Sequence, residues 1–362
     1  MISNQVIQGS IDDLRNITKV ELSIYDLEGV RIATTSDQIE VDINIVHGFS
    51  GSQADSQIVN HHHLFKILDE GELLYVLVAS GLSDDTYMVG KIAISQIQQL
   101  VIAYKERFDR NNFFQNLILD NLLLVDIYNR AQKLHIQVEA KRVVFLIETK
   151  LERENGVMEL LRNLFSTQSG DYITAVDEHN VILIKNLSVA DEVSQINEIA
   201  DTIVDMLNAE AMLKVRVAYG TIVGELKDVS KSYKEAKMAL EVSKIFYAEK
   251  KVNSYEALGI GRLIYQLPAN LCQIFVGEIL GGGVPEELDE EILTTINKFF
   301  ENSLNVSETS RQLFIHRNTL VYRIEKLQKL TGLDIRVFED ALTFKIALMV
   351  VDYMEYLKKF SY

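Results

Sequence analysis

The chain has 362 residues, a length that suggests two or three domains with a sizeable apolar core. Its single cysteine excludes an internal disulfide and a cysteine-rich metal cluster, and its net charge of −16 argues against nucleic-acid binding by the whole surface. The first residues carry no secretory signal and no apolar run reaches the ~20 residues of a membrane span. We therefore expect a soluble, cytoplasmic protein with no membrane partner.

Residues 1–95 predict a small antiparallel sheet with flanking helices. Val20–Tyr25 and Val30–Thr34 surround a turn and predict a β-hairpin. Three further strands are predicted at His63–Leu68, Glu72–Ala79 and Tyr87–Ile94. This pattern is typical of PAS-like or GAF-like sensor domains, which hold small ligands without the fold dictating which one. We expect a PAS/GAF-like sensor domain that responds to a small-molecule effector.

Residues 96–135 predict a helical linker, because apolar residues recur at helical spacing and glycine and proline are absent. Such a helix either packs against its twin in a dimer or is buried on its own domain. Both interpretations stay open.

Residues 136–280 alternate strands and helices in the order β-α-β-β-α-β, followed by a helix. The predicted elements are Arg142–Ile147, Met158–Phe165, Tyr172–Val176, Val181–Lys185, Ala190–Ala209, Val215–Tyr219 and Leu226–Ala248. This order is ferredoxin-like. Residues 256–275 predict helix, with Cys272 as a buried thiol, and Gly281-Gly282-Gly283 with Pro285 predicts a linker to a last domain over residues 285–362.

The sign of the charge reverses near the C-terminal end. Residues 286–304 hold six acidic residues and one basic residue, a net charge of −5. Residues 305–336 hold six basic and three acidic residues, a net charge of +3. A DNA-binding patch in this acidic chain would have to be local, and this segment is the place for it.

Three helices are predicted here, at Glu291–Asn302, Ser307–Leu313 and His316–Leu330. Asn305 precedes the second helix as an N-cap and Glu308 follows three positions later, as in a capping box. Gly332 ends the third helix. Two short helices joined by a tight turn, the second basic at its start, are typical of a DNA-binding helix-turn-helix.

The start of a recognition helix meets base edges in the major groove. Here it presents Arg317, Asn318, Thr319, Tyr322 and Arg323, and arginine and asparagine can read guanine and adenine by paired hydrogen bonds. Ser307 and Thr309 on the preceding helix are predicted to bind phosphate, and Lys326 to contact the DNA backbone. A helical bundle with a solvated basic face is the alternative.

The run SETSRQLFIHRNTLVYRI, from Ser307 to Ile324, closely resembles the C-terminal helix-turn-helix of the CdaR/PucR-type regulators, the carbohydrate-diacid and purine-catabolism regulators. His316 to Leu320, with Tyr322 and Arg323, is the specific part. The resemblance implies a transcription regulator that binds double-stranded DNA.

The middle region is similar to the degenerate GGDEF-like domain that precedes this helix-turn-helix in CdaR-type members. An active diguanylate cyclase needs a Gly-Gly-Asp/Glu-Glu-Phe turn, whereas this hairpin has Asp177-Glu178-His179-Asn180. Glu148 lies near the end of the first strand, where a metal-binding aspartate would stand, but has no evident acidic partner. We expect a non-catalytic scaffold without cofactor.

Other candidate sites are weak. His61-His62-His63 invites a metal site, but adjacent side chains of a strand point in different directions, so a polar turn is favoured. Asp84-Asp85 predicts a solvated turn. Gly281-Gly282-Gly283 lacks the Gly-Lys-Ser/Thr element of a phosphate loop.

The sequence therefore predicts an α+β multidomain regulator, with a sensor domain, a ferredoxin-like middle domain and an all-α helix-turn-helix domain. One recognition helix is too short to be specific alone, so we expect a homodimer or higher oligomer. A nucleotide-cyclase-like signalling enzyme and a protein-interaction scaffold are the alternatives.

Overall fold

The computed structural model describes residues 2–37, 41–83, 85–149, 154–165, 170–188, 193–281 and 288–360. The chain divides into two compact units, residues 1–114 and residues 115–362. Among the described residues, no helix has both the length and the apolar character needed to span a membrane.

The N-terminal unit is an antiparallel sheet with helices on both faces. In chain order its elements are α1 (Asn4–Thr18), β1 (Glu21–Tyr25), β2 (Arg31–Thr34), α2 (Ile43–Ser50), β3 (Ser56–Val59), β4 (His62–Asp69), β5 (Glu72–Ser80) and α3 (Asp85–Ile118). The strand order is β2-β1-β5-β4-β3. One apolar cluster joins α1, α3 and the sheet, and a smaller cluster joins α2 to the strands. The predicted hairpin and the strands near residues 63–68 and 72–79 are confirmed.

The predicted strand Tyr87–Ile94 is wrong, because these residues lie in α3. Val89, Ala93 and Ile97 recur four residues apart and are buried against the sheet, which is helical periodicity. α3 therefore begins before the predicted linker helix. It ends at Ile118, and the chain turns through Asp120, at φ 63°, so residues 96–135 do not form one continuous helix.

The next part of the chain forms the predicted ferredoxin-like sheet. Its elements are α4 (Leu124–Lys133), β6 (Glu139–Glu148), α5 (Glu154–Leu164), β7 (Tyr172–Ala175), β8 (Asn180–Asn186), α6 (Val193–Ala211), β9 (Arg216–Tyr219), β10 (Val223–Glu225), α7 (Val229–Phe246) and β11 (Val252–Ser254). The strand order is β11-β9-β6-β8-β7, and β10 also pairs with β6. α5 and α6 share an apolar cluster with one face of the sheet, and α7 packs against β6 and β9.

In the described residues after β11, the α-helices are α8 (Gly261–Ile264), α9 (Ala269–Leu280), α10 (Glu290–Glu301), α11 (Val306–Gln312), α12 (Arg317–Thr331) and α13 (Phe338–Phe360). Cys272 is buried, as predicted, in an apolar cluster that α9 shares with α10, α12 and α13. Gly281 ends α9 at φ 65°. Gly282, Gly283 and Pro285, on which the predicted linker rests, lie outside the described residues.

One glycine sets the distance between α7 and the sheet. A Cβ on Gly220, which follows β9, would lie 2.0 Å from the carbonyl oxygen of Ser232. The Ser232 side chain is itself fixed, since its Oγ donates to the Thr221 carbonyl and accepts from the Val144 N–H. Neither backbone segment can move away without breaking these bonds.

We expect Gly220→Ala to lower the free energy of unfolding by about 3 kcal/mol, because the added methyl group overlaps a backbone atom. Gly224→Ala is the matched control, since no atom lies within 4 Å of its Cβ position. Urea unfolding followed by circular dichroism measures both. Equal stability of the two variants would contradict the close packing at Gly220.

Candidate nucleic-acid interface

The helix-turn-helix is formed by α11 and α12. The Asn305 side chain caps α11 by accepting the Glu308 N–H at 3.1 Å, as predicted. His316 caps α12, since its Nδ1 accepts the Asn318 N–H at 3.2 Å. Gly332, at φ 78°, ends α12 as predicted. The first and last residues of α11 and α12 each differ from the predicted ones by one position.

The capping box is only half formed. The Glu308 carboxylate accepts from Arg311 and Gln312 instead of returning to the Asn305 N–H. That N–H donates to the carbonyl of Asn302. The salt bridge to Arg311 competes with the box because it lies on the same helix three residues away.

The turn between the two helices contains no glycine. Phe314 adopts φ 53° and its side chain is 96% exposed. The flanking Leu313 and Ile315 N–H groups donate to carbonyls of Thr309 and Ser310, and this bonding fixes the turn. This conformation could not be predicted from the sequence, because a bulky residue at positive φ is unusual.

α12 buries one face and exposes the opposite one. Leu320, Ile324 and Leu327 are fully buried, as predicted from their spacing. The exposed side chains include four of the predicted base-reading residues: Arg317, Asn318, Thr319 and Tyr322. Lys326 is partly exposed further along, and Ser307 is exposed on α11. These six side chains, which we call the α12 strip with Ser307, are accessible to a ligand.

Thr309 is not accessible, so the predicted phosphate contact does not fit the structure. Its side chain is fully buried. The hydroxyl donates to the Asn305 carbonyl and accepts from the Asn302 amide. Thr309 therefore holds α11 against the end of α10.

Arg323 also differs from its predicted role as a base reader. Its side chain is only 13% exposed and turns toward α10. The guanidinium donates to the buried hydroxyl of Thr295 at 2.6 Å and forms an ion pair with Glu291. Sequence reasoning missed this contact because the partners lie 28 and 32 residues away. Arg323 thus ties the recognition helix to α10.

The cyclase-like hairpin is closed by its own side chains. The Asp177 carboxylate accepts from the His179 N–H and the Asn180 side-chain amide. Glu148 lies at the end of β6 and is paired with Lys244 at 2.6 Å and with Arg216 at 3.4 Å. Glu148 stands where a cyclase would have a metal-binding acid, and its carboxylate is paired with two basic side chains of the same chain.

The other candidate sites bring no metal ligands together. His62 and His63 begin β4, so the predicted polar turn is partly a strand. The His62 ring bonds the Ser80 hydroxyl, and the His63 ring lies near the Tyr87 ring. Burial lowers the pKa of His62. Over the residues that the structure describes, no group of three His, Cys, Asp or Glu side chains could hold a metal ion. Asp84 lies outside those residues.

Comparison with known families gives two domain matches. Residues 292–350 match the PucR C-terminal helix-turn-helix domain, and residues 121–242 match the GGDEF-like domain. The first match covers α10 to α13 except the ends, and the second covers the ferredoxin-like sheet except β11.

Three characterised proteins are similar in sequence. The purine catabolism regulatory protein of Bacillus subtilis (strain 168) is 23% identical over 71% of this chain and 51% of its own length. The carbohydrate diacid regulator of Escherichia coli (strain K12) is 22% identical over 78% and 77%. The DNA-binding transcriptional activator AdeR of Bacillus subtilis is 22% identical over 70% and 64%. The chain thus spans about half the length of the first relative.

The chain thus combines a match to the GGDEF-like domain with a later match to the PucR C-terminal helix-turn-helix domain. The two matches and the relatives support a CdaR/PucR-type regulator.

We expect Arg323→Ala to lower the free energy of unfolding by about 2 kcal/mol, because it leaves the buried Thr295 hydroxyl without its charged donor. Arg317→Ala removes an exposed arginine from the same helix and should change stability by less than about 0.5 kcal/mol. Thermal unfolding of both variants checks this. If the two lose the same stability, the contact with α10 does not hold the recognition helix.

Proposed function

We propose that this chain is a sequence-specific DNA-binding transcriptional regulator that acts as a homodimer or higher oligomer. The observation that carries the proposal is the exposed α12 strip with Ser307, at the start of a helix whose opposite face is fully buried. A recognition helix needs both features, since one face must pack and the other must enter the major groove.

The exposed residues have separate roles in this proposal. Arg317, Asn318, Thr319 and Tyr322 face the base edges, with Arg317 suited to guanine and Asn318 to adenine. Ser307 and Lys326 contact phosphates and set the register. Thr309 and Arg323 are removed from the contact set, because their polar atoms are already bonded inside the domain.

Two copies of the chain are needed, because one short recognition helix contacts too few base pairs. The two α12 helices would read half-sites about 34 Å apart, or a multiple of that distance.

The N-terminal unit would supply the signal as a PAS/GAF-like sensor domain. Its sheet carries an apolar layer on both faces, which suits a fold that holds a small molecule against a sheet. An effector changes DNA affinity only if it binds two arrangements of the protein unequally. The names of the relatives concern purine catabolism and carbohydrate diacids, which favours control of a metabolic operon.

The ferredoxin-like domain would act as a scaffold without catalytic activity. Glu148 is neutralised by Lys244 and Arg216, and the hairpin at Asp177 lacks the glycines that let a backbone approach a nucleotide. Incubation of the full chain with GTP and Mg²⁺, followed by chromatography, should show no conversion to a cyclic dinucleotide. Turnover would favour the cyclase-like alternative instead.

DNA binding is tested with duplexes that the full chain selects from a random-sequence pool. Arg317→Ala should weaken binding by about 1–3 kcal/mol and relax the preference at one base pair, because a base contact is lost. Lys326→Ala should weaken binding to all sequences and lower the salt slope by about one. Titrations at two salt concentrations measure both effects.

Arg130→Ala is the matched control, since Arg130 is exposed on α4 outside the helix-turn-helix. It should leave affinity and salt slope unchanged. If the parent chain selects no sequence, or if Arg317→Ala binds like the parent, the protein-interaction scaffold becomes the better interpretation.

A further inference from the structure

α13 belongs to two parts of the structure at once. Phe344, Ala347 and Val350 are fully buried in the apolar cluster that also holds Leu320 and Ile324 of the recognition helix. α13 also contacts α7 of the ferredoxin-like domain, together with α8 and α9. A helix of 23 residues is about 34 Å long, so a small rotation at one end displaces the other by several ångströms.

A chain of polar contacts joins the C-terminal turn of α13 to the ferredoxin-like sheet. The Tyr356 hydroxyl donates to the Glu241 carboxylate at 2.5 Å. Lys244 bonds Glu241 at 2.9 Å and Glu148 at 2.6 Å, and Arg216 bonds Glu148 at 3.4 Å. We call these five residues the junction network.

The members of the junction network are partly buried, which makes their contacts stronger than those of ordinary surface pairs. The side chains of Glu148, Glu241 and Lys244 are 29%, 23% and 26% exposed. Burial opposes the charge of Lys244, but the hydrogen bonds to Glu148 and Glu241 outweigh it and raise its pKa. Burial and the nearby Glu241 carboxylate raise the pKa of Tyr356, so its hydroxyl stays a donor.

A second contact lies beside the junction network. The Tyr353 hydroxyl donates to the Tyr265 carbonyl at 2.9 Å, and the two rings lie 5.7 Å apart. This bond holds α13 to the segment after α8. In the described part of the chain, Tyr356 is the residue of α13 whose side chain bonds α7 directly.

We propose that the junction network fixes the angle at which α13, and with it the recognition helix, leaves the ferredoxin-like domain, and so sets the spacing of the two recognition helices in the dimer. Tyr356, Glu241 and Lys244 are positioning residues in this role, since none of them lies on the α12 strip with Ser307. The inference rests on the proposed DNA binding by a homodimer.

This role has a consequence that a purely structural role lacks. A single half-site meets one recognition helix, whose own fold does not depend on Glu241 or Tyr356. A full operator needs two recognition helices at one fixed spacing. The apparent affinity for the operator therefore falls when a smaller fraction of the molecules holds that spacing. The network should therefore affect the operator and not the half-site.

The experiment compares two duplexes, the one that the parent chain selects from a random-sequence pool and the same duplex with one half-site scrambled. Tyr356→Phe removes only the hydroxyl, and Glu241→Lys places a second cation beside Lys244. Lys231→Met on α7 is the matched control, since Lys231 is 67% exposed and faces Glu235 on its own helix. Circular dichroism confirms that each full-length variant is folded.

Tyr356→Phe should raise the Kd for the intact duplex about three- to tenfold, the net cost of one ordinary intramolecular hydrogen bond. Glu241→Lys should raise it further, and both should leave the Kd for the scrambled duplex within about twofold of the parent value. Lys231→Met should change neither. In the double variant with Glu241→Ala, which has no acceptor, Tyr356→Phe should add no further loss, since both substitutions remove the same bond.

A folded Glu241→Lys variant with the parent's ratio of the two Kd values would overturn the inference, and so would an equal loss on both duplexes. A parent chain that selects no duplex from the random-sequence pool would overturn the proposed DNA binding itself. A selected duplex with one half-site only would remove the dimer on which the spacing depends.

Discussion

Burial of α13 is the constraint on which the DNA-binding end of the molecule depends. α11 and α12 have 7 and 15 residues, and helices this short have too little apolar surface to be stable alone. Phe344, Ala347 and Val350 supply the missing core, and Cys272 and Val276 of α9 are buried in the same cluster. The recognition helix is therefore stable only as part of a larger helical assembly that begins before the predicted linker.

Local signals made the helix-turn-helix predictable from the sequence. The Asn305 cap, the apolar spacing of Leu320, Ile324 and Leu327, and the stop at Gly332 each act within a few residues, and the structure contains all of them. The ferredoxin-like order of strands was predictable for a similar reason, since each element has its own periodicity. The matches to known families agree with both domains.

Long-range packing decided what the sequence could not show. Thr309 and Arg323 have the polarity of DNA contacts, but their polar atoms already bond Asn302, just after α10, and Thr295 on α10. The strand predicted at Tyr87–Ile94 failed because a window of eight apolar-rich residues fits both periods, and only the continuation through Ile97 and Val101 identifies a helix. In each case the deciding residue lies outside the window that sequence reasoning used.

The cap of the recognition helix has a consequence for its chemistry. His316 Nδ1 accepts the Asn318 N–H, and an imidazole nitrogen can accept only while it carries no proton. Serine or asparagine in that position would cap the helix with an oxygen atom, whereas His316 does so with one nitrogen of a planar ring. The cap therefore also fixes the ring, because Nδ1 must face the first turn of α12 for the bond to Asn318 to form.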